Sequence, residues 1–429
     1  MLLTRALQRN PEMIATAIDF HQRGIVPAAT YFVDLDAIAH NAKLMADEAK
    51  KYGLRSYLMT KQNGRNPYIT RVALEQGIDS TVAVEATEAR TITRYGLPLG
   101  HVGHLSNIPL REIPSIVAME PEVMTVFTYE NAKAISDAAT ALGRVQNVYV
   151  RVNKPGDEFF KGMVGGWTED ECVEGVRKVV ELPGVKVIGL TSFVNITYQT
   201  PAATKAKPTD TYFTMLRAKE LLEKELGLED LRVNAPAFNN CATFKMLAEN
   251  GATDVEPGIG LLGSSLAHAY EDLAEKPAQV YVSEVMHHWE GEAYTLGGGL
   301  TYIEGSGGPQ NEYPIRAITG RTFEEAKDNA LTLVERGIID YHGVLADGEK
   351  AKVGDTAIYA LRAQFFVNRC YVAIVSGVST GNPTLEGLFD SLGTALDADF
   401  NPLPVAQVIA DIERVATELY GQDRNAASV

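Results

Sequence analysis

Cysteine is scarce in this chain. Cys172, Cys241 and Cys370 are spread over 429 positions with no CxxC pair, which describes neither a disulfide framework nor a zinc ribbon. Long apolar runs are missing too, since no uninterrupted stretch approaches the ~20 residues that span a bilayer. The opening segment MLLTRALQRNPEMIATAIDFHQRG mixes charge with a helical apolar period and carries no signal-peptide core or cleavage site. Positive charge is in deficit: 39 Lys and Arg stand against 55 Asp and Glu, a formal net charge of −16. A nucleic-acid binder needs clustered Lys and Arg to neutralise phosphates, so the composition argues against that class. A cytoplasmic, acidic protein with neither a membrane nor a nucleic-acid partner is the expectation.

What is present is a regular alternation. Residues 1–24 read as one or two short helices ended by Gly24 and Pro27. From Thr30 onward, short β-branched or apolar runs alternate with amphipathic helical stretches. The runs are Thr30–Val33, Ser56–Thr60, Ser80–Val84, His101–His104, Val123–Thr128, Asn147–Val152, Val185–Val194, Leu231–Asn234 and Asp254–Val255. Alternation of this kind implies parallel strands with helical crossovers. Eight or nine repeats in about 240 residues match a (β/α)8 barrel, with an open doubly wound sheet as the alternative. Near residue 275 the texture turns β-rich, with Gly-rich turns at Gly297–Gly299 and Gly305–Gly308, one helix over Thr322–Arg336 and a closing helix over Pro404–Tyr420. The expected organisation is a helical extension (1–28), a TIM-like barrel (29–275) and a C-terminal β-rich domain (276–429).

In a parallel barrel, function sits where strands end. Lys61 holds such a place in SYLMTKQNGRNP. A lysine desolvated there reaches its neutral, nucleophilic form, as a Schiff-base lysine requires; an ordinary loop lysine is the plain alternative. Late in the chain, Gly258, Gly260 and Gly263 spell G-x-G-x-x-G within VEPGIGLLGSS. The motif has the shape of a dinucleotide fingerprint, but its place after the last barrel repeat suits a phosphate held on backbone N–H groups. Glycines serving only a tight turn would look the same.

A strand-end lysine early and a phosphate turn late are the two ends of a pyridoxal 5'-phosphate site. TYFVDLDAIAHN (Thr30–Asn41), the lysine strand and VEPGIGLLGS (Val255–Ser264) together resemble the alanine-racemase-like, fold-type III family, and within it the YhfX-type branch. The resemblance implies a barrel with a C-terminal β domain, pyridoxal 5'-phosphate as cofactor, an amino-acid substrate and a homodimer with the site at the subunit interface. Carried over by residue, Lys61 matches the cofactor lysine and proton carrier, and Gly258 and Ile259 match backbone donors to the phosphate. Asn240 falls where alanine racemases have a phosphate-binding serine. Phe193 falls on the strand that supplies a residue over the pyridine ring, with plain barrel core as its alternative. Glu256 departs from the racemase arginine and matches the Glu-Pro-Gly of the family's decarboxylases. A carboxylate there favours a protonated ring nitrogen, a strong electron sink suited to carbanion chemistry in general.

A two-base racemase also needs a proton donor on the face opposite the lysine. In GEAYTLGGGLTY the racemase tyrosine aligns with Leu296, and Tyr294 is two residues away on the same strand face. His287, in the preceding strand, is a further candidate. Arg362 and Gln364 stand near where the related D-threonine aldolases and D-serine dehydratases have a zinc-binding His-x-Cys. With those ligands absent, no metal is expected, and Arg362 and Gln364 suit a substrate carboxylate or hydroxyl. His101 and His104 read as strand-end residues with no carboxylate to complete a site. The expected reaction is amino-acid racemisation or epimerisation at Cα. A metal-free D-amino-acid lyase, a decarboxylase and a cofactor-homeostasis protein are the alternatives.

Overall fold

The computed structural model describes residues 1–157, 161–198, 206–300, 315–336, 339–362, 365 and 368–421. The chain forms two compact units, each assembled from separate segments. One comprises Met45–Thr60 and Gly77–Gly258, the other Met1–Leu44, Lys61–Gln76 and Ile259–Val429. No helix among the described residues is long and apolar enough to cross a membrane.

The first unit holds a closed barrel of eight parallel strands: Arg55–Met59, Ser80–Ala83, His101–Val102, Val123–Val126, Gln146–Arg151, Val185–Thr191, Arg232–Asn234 and Asp254–Val255. Each pairs with the next in chain order, and the last closes on the first through Asp254↔Arg55 and Val255↔Ser56. Hydroxyl caps start several of the crossover helices. Thr128 Oγ1 accepts the Asn131 N–H ahead of Tyr129–Ala141. Thr168 and Glu171 form a capping box at Glu169–Val180, and Thr209 caps Asp210–Leu226, which ends on left-handed Gly227. At the N-terminal ends of the strands the barrel is plugged by charge. Arg55 and Tyr57 meet Glu122, each at 2.6 Å, and Arg232 pairs with Asp254. That end of a barrel carries stability, and the other end carries chemistry.

The second unit is built on a ten-stranded sheet. Thr30–Asp34, expected to open the barrel, instead lies inside this sheet. It runs antiparallel to Gln279–Trp289 and parallel to Tyr371–Ser376. The helices Leu2–Arg9 and Pro11–Gln22 are core elements as well as an N-terminal extension. Leu3, Met13, Ile14, Ala17, Ile18 and Phe20 pack with Phe32, Val280, Val282, Ile318 and Ile358 in one apolar cluster. The helix expected over Thr322–Arg336 is only Phe323–Ala326, and Ala330–Arg336 is a strand. Asn329 breaks the helix by donating its side-chain amide to the Thr319 carbonyl at 3.0 Å, which sets Ala330 opposite Ile318. The closing helix, Val405–Tyr420, is as expected. The Gly305–Gly308 turn lies outside the described residues.

Candidate active site

Glu256 follows the last barrel strand directly. Its side chain is fully buried, and its backbone N–H donates to Asn239 Oδ1 at 2.7 Å. Asn239 sits in a loop with two consecutive left-handed residues, Ala237 and Phe238, a strained conformation of the kind that recurs at functional sites. Oε1 of Glu256 lies 2.6 Å from His101 Nδ1 and accepts from Asn234 Nδ2 at 2.7 Å. Oε2 lies 3.3 Å from His104 Nδ1 and accepts no hydrogen bond from the described residues. Burial pushes the carboxyl pKa up. The charges of His104 and His101, with the hydrogen bonds from His101 and Asn234, outweigh burial and hold it at about 2.

This corrects the reading of His101 and His104, since Glu256 supplies the carboxylate their spacing lacked. The three offer ligand atoms within 4.8 Å of one another, a donor set that suits a cation in composition. In the structure, however, they are engaged with one another as an acid–base cluster. Phe193 joins them: it is half-buried, not plain core, and its ring stands edge-on to His104 at 5.7 Å.

Arg151 was not singled out from the sequence, where it falls within the run Asn147–Val152. It is fully buried and donates to the carbonyls of His104 and Met163, both at 2.9 Å. Its guanidinium lies 5.4 Å from the Phe127 ring centroid. Burial lowers its pKa to about 10, with Glu256 acting the other way. Arg151 Nε has no hydrogen-bond partner among the described residues. The barrel therefore buries an unmet donor, Arg151 Nε, and an unmet acceptor, Glu256 Oε2. Such groups are costly without a partner and fit a polar heteroaromatic guest.

Asn240 caps Cys241–Glu249, taking part in a reciprocal arrangement with Thr243, and Nδ2 donates to the Phe238 carbonyl at 3.3 Å. Gly258 ends this unit, and Ile259 begins a segment of the other. In that second unit Ser264 Oγ is buried without a hydrogen-bond partner among the described residues, a hydroxyl suited to an anion and missed in the sequence. Gly263, by contrast, is a turn glycine: its φ is +58°, and a Cβ there would lie 2.0 Å from the Lys276 carbonyl oxygen.

Lys61 stands two residues beyond Met59 and opens the single 3-10 turn Lys61–Asn63. It is half-buried, whereas Gln62, Asn63, Arg65 and Asn66 after it are buried. Asn66 Oδ1 accepts from the N–H groups of Tyr68 and Ile69 and caps Pro67–Glu75. The lysine thus rides on a well-fixed turn. Tyr294 and His287 are brought together, being register partners on adjacent antiparallel strands. Their rings stack at 4.6 Å and 17°, and His342 stands edge-on to both. Arg362 is half-buried, and Gln364 lies outside the described residues.

Residues 33–266 match the family "Alanine racemase, N-terminal domain", and residues 280–385 match "YhfX-like, C-terminal domain". The protein described as "Uncharacterized protein YhfX" of Escherichia coli (strain K12) is 35% identical, covering 92% of this chain and 100% of that protein. An alanine racemase of Clostridium perfringens is 25% identical over 75% of each chain. Among solved structures, D-threonine aldolase from Filomicrobium marinum superposes with a TM-score of 0.63 at 16% identity, covering 85% of this chain and 95% of that one. This protein therefore belongs to the alanine-racemase-like family of fold-type III enzymes, with that family's barrel, β-rich C-terminal region and pyridoxal 5'-phosphate cofactor.

Proposed function

We propose that the chain is an amino-acid racemase or epimerase working at Cα. The observation that supports chemistry at Cα is the buried, ionised Glu256, one of whose oxygens accepts no hydrogen bond from the described residues; among Cα reactions, the stacked Tyr294 and His287 favour inversion. Bound pyridoxal 5'-phosphate supplies an electron sink for the pair left at Cα when its proton is removed. Glu256 keeps the ring nitrogen protonated, and with it the sink strong. Lys61 holds the cofactor and carries the Cα proton on its amine. The backbone N–H groups of Gly258 and Ile259, with Asn240, hold the phosphate, and Phe193 covers the ring. Tyr294, with His287 stacked on it, handles the proton on the second face. Arg362 and Gln364 hold the substrate carboxylate. The working form is a homodimer in which each copy completes the other's site, acting in the cytoplasm on a free amino acid.

Incubation of the holoenzyme with single amino acids in deuterated water tests this reading. Deuterium at Cα together with the opposite enantiomer is the expected result for at least one of them. Loss of a side chain or of the carboxylate in place of inversion reassigns the protein as a lyase or a decarboxylase. No Cα exchange with any amino acid overturns the enzyme reading in favour of a cofactor-binding role.

A further inference from the structure

We infer that His101, braced by Thr125, is a positioning residue that holds Glu256 in place toward the ring nitrogen. The inference rests on the role proposed above for Glu256 and extends it to residues that role leaves unused.

His101 is completely buried and bridges two side chains from other barrel strands. Nδ1 lies 2.6 Å from Glu256 Oε1, and Nε2 lies 2.5 Å from Thr125 Oγ1. The edge of its ring faces Tyr149 at 5.2 Å. An ionised carboxylate oxygen can only accept, so the proton between Glu256 and His101 belongs to Nδ1. On the far side of the ring Nε2 meets the Thr125 hydroxyl, which holds the imidazole in this orientation.

The two carboxylate oxygens are treated unequally. Oε1 takes His101 and Asn234, and Oε2 receives no hydrogen bond from the described residues. The groups acting on Glu256 are His101, His104, Arg151 and Asn234. His101 is fixed on its far side by Thr125 from another strand, as Asn234 is held by Thr191. Without the His101 bond the carboxylate is free to turn away from the ring nitrogen, whose charged form then loses its counter-ion. The partner nitrogen then loses its proton at lower pH.

Holoenzyme reconstituted with ring-15N-labelled pyridoxal 5'-phosphate tests this by the pH at which the ring-nitrogen resonance titrates. In Glu256→Gln the midpoint falls sharply. In His101→Phe it falls by about one unit or more, and in Thr125→Val it falls less, because only the brace is lost. His101→Gln, which can still donate to Oε1, recovers most of the wild-type midpoint. Should His101→Phe fail to fold, the Thr125→Val and His101→Gln pair carries the test. A midpoint moved by Glu256→Gln but by no change at His101 or Thr125 overturns the inference and leaves the Glu256 role standing. A midpoint unmoved by Glu256→Gln overturns that role itself. Dialysis-resistant zinc, lost on His101→Phe, would replace the inference with a metal site.

Discussion

Individual residues differ in how plainly the sequence announces them. Glu256 was legible because Glu-Pro-Gly follows a strand immediately, and nearby chain fixes its place. His101 and His104 were visible as a spaced pair, but the carboxylate that gives them meaning arrives from the last barrel strand. Arg151 was invisible as a site residue because an arginine at a strand end is ordinarily solvated; only the closed barrel shows it buried. Gly263 could be read for a phosphate or for a turn, and contact geometry decides for the turn. Gly263→Ala should destabilise the protein by about 2–5 kcal/mol through left-handed strain and overlap with Lys276. The shift in urea midpoint should be the same with and without cofactor. A loss confined to the loaded protein would assign the glycine to the phosphate instead. Asp34 offers a second check, through pH. Burial raises its pKa to about 6, ahead of the opposing hydrogen bond from Asn10. Because the folded state holds this proton more tightly, the associated stability is present below about pH 4 and lost as pH rises through about 6. The stability of the wild type relative to Asp34→Asn should therefore be greater at pH 4 than at pH 8, as read by urea unfolding at the two values.

Among secondary-structure elements, the barrel was the easy part. All eight strands sit within a few residues of their expected positions, because runs such as Val123–Val126 are buried throughout and their helices carry hydroxyl caps. Thr30–Asp34 was found as a strand and given to the wrong sheet. Local sequence specifies an extended, buried run, but it does not name the neighbours. Those partners, Gln279–Trp289 and Tyr371–Ser376, come more than two hundred residues later. Ala330–Arg336 was missed because its Glu- and Leu-rich neighbourhood favours a helix, and strand pairing overrides that weak preference. The placement of Thr30–Asp34 predicts that Phe32, fully buried and edge-on to Phe20 at 6.1 Å, is a keystone of the sheet. Phe32→Ala should lower the unfolding free energy by about 3–5 kcal/mol. Removal of residues 1–24 should strip the helices from that face and leave a protein that aggregates on expression. A well-behaved truncated protein with an unchanged unfolding midpoint would refute the role given to these helices.

At the scale of the whole molecule, the segments of the two units alternate along the chain. Lys61 is placed with one unit and Glu256 with the other. The pair proposed for the second face, Tyr294 and His287, sits on the strands of the β-rich unit, both residues at least partly open to solvent. A proton donor on such a surface is useful only if something is brought to it, and a symmetric second copy is the simplest supplier. Under the proposed shared site, each centre takes Lys61 from one copy and Tyr294 from the other. Lys61→Ala and Tyr294→Phe should then each abolish or cripple turnover alone. Mixed after mild dissociation, they should regain roughly a quarter of wild-type activity, since half the dimers are hybrids and each hybrid has one intact centre. The regained activity should scale with the hybrid fraction measured by native mass spectrometry. If hybrids form and no activity returns, each centre is built within one copy, and the second-face donor must be sought elsewhere in the same chain.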